Sequence, residues 1–307
     1  MVMSKSLRFK YIEPLMFKGP EPFTPFVRGP QVRARSMLTP LPTTLVGALT
    51  TVLMDLKGLK GSKQHLNMHW VSEYYEALKE ALNMDLRGKL SFQGPYITAT
   101  TLNGNLQVYL PYSIEGFSDR LVALDELMNL VRQIRAYDLA DFLGKLRRKL
   151  NDTTYSMSNY TLTGIKLVDL VRSAEEGYIY TAEFIEASNI VLIERDRKRD
   201  HVNIKEVQDV TEVDVTMDVR GEDEAVKELY DALKAHEQLV LGIGGERRII
   251  KLSIEDYTFE LRLKDYGEEH VKRALIYVIS PALFKTSRQT LKHIKAVTYT
   301  HLTLPTN

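Results

Sequence analysis

Nine residues carry most of the chemistry this sequence offers. Lys18, Arg28, Arg33 and Arg35 lie in a proline-rich stretch, and Gly242, Gly244, Gly245, Arg247 and Arg248 lie in VLGIGGERRII. Cationic side chains neutralise phosphates, and glycine lets a backbone approach a ligand closely. The glycine stretch invites a nucleotide reading, but its spacing argues against one. A dinucleotide fingerprint starting at Gly242 needs glycine where Arg247 stands, and a helix directly after the loop. Here RRIIKLSI comes next, with Ile250, Leu252 and Ile254 alternating as in a strand. The Gly-Lys-Ser/Thr of a phosphate loop is also missing. A hairpin turn is the plainer reading and the one that spacing alone favours. A second reading adds Arg247 and Arg248 beside exposed glycine backbone as an RNA-facing ridge.

In the proline-rich stretch the bases alternate with Phe17, Phe23 and Phe26. Rings of this kind either stack on nucleobases or pin the loop to the core, and the second is the commoner fate of phenylalanine. The seven histidines are His65, His69, His201, His236, His270, His293 and His301. Two of them, His65 and His69, are four apart, but two ligands do not make a metal site and no His-Glu-x-x-His occurs. There is no Gly-x-Ser-x-Gly elbow. With no cysteine in the chain, disulfides, thiolate metal sites and a cysteine nucleophile are excluded. We find no catalytic constellation and expect neither a metal nor a cofactor.

The elements that must position these residues can be read from periodicity. Residues 6–17 read as an opening strand. Pro20, Pro22, Pro25, Pro30, Pro40 and Pro42 make residues 18–42 a long loop, because proline lacks a donor and fixes φ. A short apolar helix over 43–56, capped by Thr43 or Thr44, comes next. A second helix over 69–84 has Val71, Tyr74, Tyr75, Leu78 and Leu82 on one face. SFQGPYITATTL and NLQVYLPYSI flank Asn103-Gly104, a dipeptide suited to a primed hairpin turn. Residues 119–150 are read as helix, capped by Asp119 and closed by Asn151. Gly144 leaves open whether this is one helix or two. Strands dominate the second half: LTGIKLVDLV, GYIYTAEFIEASNIVLI, VDVTMDV, QLVLGIGG, RRIIKLSI, YTFELRL and ALIYVIS. One helix interrupts them, starting at Asp223 and Glu224, with Val226, Leu229, Tyr230 and Leu233 on one side. The expected fold is α+β: two tandem ferredoxin-like (RRM-like) domains with loop insertions, over residues 1–160 and 161–297.

Net charge is only +1, but it is unevenly spread. Residues 1–63 hold ten Lys/Arg against three acids, and residues 203–231 hold ten acids against three bases. A polyanion-facing end with an acidic stretch that meets a basic partner is one reading, and two solvated faces of opposite sign is the other. The alternation of acids with valine in the acidic stretch is the pattern of a solvated strand face. No apolar run is long enough to span a bilayer and no signal segment opens the chain, so a cytoplasmic location is expected.

Several motifs occur in an order that resembles a known family. FKGPEPF precedes the Arg-rich loop and then LTPLPTTLVGAL (Leu38 to Leu49). SFQGPYI, VYLP, EEGYIYTAEFIE, LGIGGERR and YVISPALF come after it in that order. The series resembles the RAMP superfamily of CRISPR proteins, and within it the third subunit of the type III-B (Cmr) effector, over about residues 6–297. The resemblance implies a non-catalytic subunit that grasps the 5′ tag of the guide RNA (crRNA). It implies contacts with the large polymerase-like subunit and with backbone RAMP subunits, and it raises the RNA reading of both loops. The chain departs from that family in two ways. Its only tryptophan is Trp70, so the family's later Gly-Trp segment is not found, and neither is the Pro-Ala-Gly-Ser stretch. Instead the chain closes with TYTHLTLPTN, residues 298–307, which is expected to be translated vector or adapter sequence. Three other readings stay open: a repeat-processing endoribonuclease of the superfamily, the tag-binding subunit of a type III-A complex, and a protein-only scaffold. The first usually uses a histidine early in the chain, and the opening 64 residues have none.

Overall fold

A computed structural model of the chain describes residues 2–17, 33–59, 71–112, 120–135, 138–167, 174–196, 201–235, 239–243 and 248–255. In chain order the elements are β1 (Val2–Tyr11), β2 (Arg33–Ala34), α1 (Pro42–Leu56), α2 (Val71–Leu82), β3 (Leu90–Thr101), β4 (Leu106–Tyr112), β5 (Arg120–Ala123), α3 (Leu124–Gln133) and α4 (Leu139–Asp152). They continue with β6 (Thr153–Leu167), β7 (Ala174–Asp196), β8 (His201–Glu206), β9 (Val210–Glu222), α5 (Asp223–Lys234), β10 (Leu239–Ile243) and β11 (Arg248–Glu255). The fold is α+β, as expected.

Among the described residues the strands form one sheet in the order β10-β11-β1-β9-β3-β4-β5-β6-β7-β2, with β8 pairing β7. The opening strand β1 lies between β11 and β9, antiparallel to both. First-half and second-half strands therefore share one ladder, and β6 runs across the boundary expected at 160/161. Alternation along β9 sends Val213, Val215, Met217 and Val219 into the core. There they meet the α5 face of Val226, Leu229, Tyr230 and Leu233, each buried, and Leu45, Leu49 and Leu53 of α1. A second cluster, under α3 and α4, holds Val108, Leu110, Val122, Leu127, Leu146 and Leu150.

Several local expectations are corrected. Helix α1 begins at Pro42, one residue before Thr43, with Leu41 as N-cap and no side-chain cap. Proline fits this first position because its missing N–H lacks a helical partner there anyway. The hairpin at Asn103-Gly104 is not a two-residue primed turn. Thr101 pairs with Asn105, the Gly104 N–H donates to the Thr101 carbonyl at 2.8 Å, and only Gly104 takes positive φ (76°). This is the three-residue connection with glycine in the left-handed position. Residues 119–150 are not continuous helix. Arg120–Ala123 is a strand on β4, and the helix breaks after Gln133 rather than at Gly144. Asp138 starts α4 afresh, accepting from the Asp141 N–H at 2.8 Å. The segments YTFELRL and ALIYVIS and residues 298–307 lie outside the described residues.

The acidic stretch holds the largest correction. Asp214 and Asp218 do not face solvent; they are 2% and 5% exposed. Strand β9 lies between β1 and β3, and Ser6 and Arg8 of β1 with Tyr96 and Thr98 of β3 cover its polar side. Neighbours engage both acids, although Asp214 Oδ1 is left without a hydrogen bond among the described residues. Ser6 Oγ and Tyr96 Oη donate to Asp218 Oδ1 at 2.5 and 2.8 Å, and Thr98 and Thr216 hydroxyls pair at 2.8 Å. Asp214 is bound by the Arg8 guanidinium. Burial holds the Asp218 carboxyl above its ordinary range, against the hydrogen bonds from Ser6 and Tyr96. An acid raised in the folded state contributes stability below its ordinary value of 3.8 and loses it as pH rises through the folded value. Asp218→Asn keeps an acceptor for both hydroxyls without the charge. We expect the variant to exceed the wild type at pH 7 by on the order of 1 kcal/mol. The gap should close as pH falls toward 3.8 in urea titrations.

Candidate nucleic-acid interface

The glycine stretch sits at a hairpin. Gly242 pairs with Ile249 and Ile243 with Arg248, antiparallel, and the element after the loop is strand β11. Spacing argues against dinucleotide cradling, and the next described element is a strand rather than the helix whose N-terminus would hold a pyrophosphate. Gly242 is exposed on β10, between Val240 (54% exposed) and the cross-strand Ile249 (44%). Gly244, Gly245 and Arg247 lie outside the described residues.

The proline-rich loop is described at both of its roots. On the way in, Leu15 exchanges two backbone hydrogen bonds with Ile185 of β7, at 2.9 and 2.7 Å. Phe17 is buried, its N–H donates to Ser36 Oγ at 2.9 Å, and its carbonyl accepts from the Met37 N–H at 2.7 Å. On the way out, Arg33 and Ala34 of β2 pair in parallel with Thr181 and Ala182 of β7. Arg35 is next in the chain and is exposed. Phe17 therefore pins the loop, as phenylalanine usually does. Lys18, Arg28, Phe23 and Phe26 lie outside the described residues.

The roots of the two loops meet at Arg248. Its guanidinium lies 5.3 Å from the ring centroid of Phe184, and Nη1 donates to Glu13 Oε2 at 3.2 Å. Glu13 Oε1 also accepts the Ile249 N–H at 2.6 Å. The Ile249 N–H, helped by the Arg248 guanidinium, holds the Glu13 carboxyl below its usual range. Phe184 in turn stacks on Tyr160 at 5.7 Å and 15°. Both roots of the proline loop and the return strand of the glycine loop thus contact β7 within residues 181–185. Arg248, expected beside Arg247 on an exposed ridge, is half-buried and engaged internally.

Sequence reasoning missed Glu13, Phe184 and Tyr160. Phe184 stands inside the EEGYIYTAEFIE motif, and Glu13 is one of only three acids in the first 63 residues. Neither signal names a partner, because Glu13 and Phe184 are brought to Arg248 from distant parts of the chain. His65 and His69 lie outside the described residues, and His201 is exposed on β8. Among the described residues no group of three potential metal ligands forms, and no helix is long and apolar enough to cross a membrane.

The sequence matches the Cas_Cmr3 family, described as CRISPR-associated protein, over residues 11–134 and 157–303. It is 22% identical over 274 residues to the CRISPR system CMR subunit Cmr3 of Saccharolobus solfataricus, covering 86% of this chain and 67% of the relative. A chain in a cryo-EM structure of the type III-B Cmr-beta bound to cognate target RNA and AMPPnP is 20% identical, with a TM-score of 0.46. That match covers 83% of this chain and 64% of the other. A chain from the Cmr-beta complex bound to cognate target RNA gives 20% identity and a TM-score of 0.44, covering 83% and 65%. The chain spans about two thirds of the length of the relatives it matches.

Proposed function

Because the chain belongs to the Cmr3 family of CRISPR-associated proteins, we propose that it is the guide-RNA-binding subunit of a type III-B effector, without catalytic activity of its own. In this reading it holds the 5′ tag of the guide between the glycine-rich and proline-rich loops. The observation that carries it is the convergence of the roots of both loops on residues 181–185 of β7. Two stretches far apart in sequence, with Lys18, Arg28, Arg33 and Arg35 on one and Arg247 on the other, share one support. Cations beside glycine backbone suit a single-stranded leader recognised by phosphate and shape.

The polar side of the sheet supports loops rather than sheet as the RNA surface. An RRM-type platform needs exposed rings on which bases can stack. Here β9 presents Asp214 and Asp218 on that side, and Tyr96 is buried against Asp218. The ferredoxin-like reading finds support in one place. Antiparallel strands β10, β11, β1 and β9 share a core with α1 and α5, the layering of such a unit.

The reading extends to partners and place: the large polymerase-like subunit, backbone RAMP subunits and the cytoplasm. The purified chain is expected to bind RNA carrying the guide tag and to leave repeat RNA intact in a gel assay. Metal-independent cleavage that disappears in His69→Ala would overturn this in favour of a processing endoribonuclease.

A further inference from the structure

We propose that Glu13 is a positioning residue that latches the glycine loop to the proline loop, so that the two hold RNA as one unit; the proposal rests on both loops facing RNA. The ladder between β1 and β11 ends at the pair Tyr11 and Ile250. The next amide on β11, that of Ile249, is taken by the Glu13 side chain instead. The second carboxylate oxygen takes Arg248, which is thereby steered over Phe184. Two residues further on, Leu15 is fixed to Ile185, next to Phe184. Glu13 therefore ties the first described residues after the glycine loop to the segment that enters the proline loop.

A carboxylate beside a phosphate-holding loop is costly unless its charge is used. Glu13 uses it twice, and its partners are the loop root and not the core. Its side chain is a third exposed, so it adds little to the apolar interior. A rung of backbone pairing would hold Ile249 equally well, but it would not hold Arg248 against β7. The geometry therefore serves the relative placement of the two loop roots.

The test uses the full chain and a fluorescently labelled RNA carrying the guide tag, with release measured by competition. Glu13→Ala frees both the Ile249 N–H and Arg248, and release is expected to be about tenfold faster. Glu13→Gln still accepts the Ile249 N–H and is expected to stay within about threefold of wild type. The dependence of binding on salt should keep its slope in Glu13→Ala, since no phosphate contact is removed. Should melting show Glu13→Ala unfolded, Arg248→Met keeps the apolar cover on Phe184 and breaks the latch, with release expected to be about threefold faster. Wild-type release from these variants, while charge reversal at Arg28, Arg33 and Arg35 still speeds it, overturns the latch and leaves the RNA reading standing. No change in any variant overturns the RNA reading itself.

Discussion

Arg8→Ala is expected to cost about 3–5 kcal/mol of unfolding free energy, the usual result of stripping one partner from a buried ion pair. Arg8 stands on β1 opposite Thr216 of β9 and Ser253 of β11. Its guanidinium binds Asp214 and reaches Glu255 at 3.3 Å, Glu212 at 3.6 Å and Thr100 Oγ1 at 3.3 Å. One cation thus holds acids from β9 and from β11, the strands on either side of its own. Burial works against the charged form of Arg8, but the three carboxylates outweigh it and raise its pKa further above its ordinary value. Without Arg8, the Asp214 side chain remains, only 3% exposed, with no compensating charge bound to it. Lysine should not rescue, because an ammonium cannot fork to two strands at once. Arg8→Met with Asp214→Leu should recover most of the loss, since apolar groups of similar volume often replace a buried pair at little cost. Urea denaturation of the three variants checks this. An Arg8→Ala midpoint close to wild type would mean that the pair is not what holds β1 in the sheet.

Reversing the charges at Arg28, Arg33 and Arg35 is expected to weaken binding of tagged guide RNA roughly a hundredfold at low salt. Three attractions to phosphate become three repulsions, in a loop whose exit is paired to β7 at Arg33 and Ala34. Arg35 is exposed and so accessible to a ligand, and Arg28 belongs to the same stretch outside the described residues. The fold itself should hardly notice. The loop is fastened by Leu15, Phe17 and Ser36, which are unchanged, and by the backbone pairing of Arg33 and Ala34 with β7, which a side-chain change leaves in place. Equal melting temperatures with unequal affinities, read by filter binding, are the expected pattern.

Much of the fold was legible wherever the pattern was local. The apolar face of α5 holds the four residues its spacing predicted, with Ala225 beside them, and the valine alternation of β9 is a strand. The presence of a turn at Gly104 and the strand after the glycine stretch were equally readable. What failed depended on distant partners. Leu121, Leu124 and Met128 keep a helical period, yet Arg120–Ala123 is drawn into strand by β4, whose pairing no local period records. Acids alternating with valine look the same whether the polar face meets water or meets Ser6, Arg8 and Tyr96. Only the side chains that β1 and β3 bring to that face decide. The candidate site divides the same way. Its cations and glycines show as sequence, whereas the Glu13, Arg248 and Phe184 contacts exist only once β1, β11 and β7 are brought together.

The central claim is that cations of the proline-rich loop grip the phosphates of a guide leader. It is tested most directly by measuring the binding constant of tagged guide RNA against salt, for the wild type and for the triple reversal. Each phosphate neutralised on a single strand adds about 0.7 to the slope of log K against log salt. We expect a slope shallower by about 2 in the variant. Two superimposable lines would contradict it.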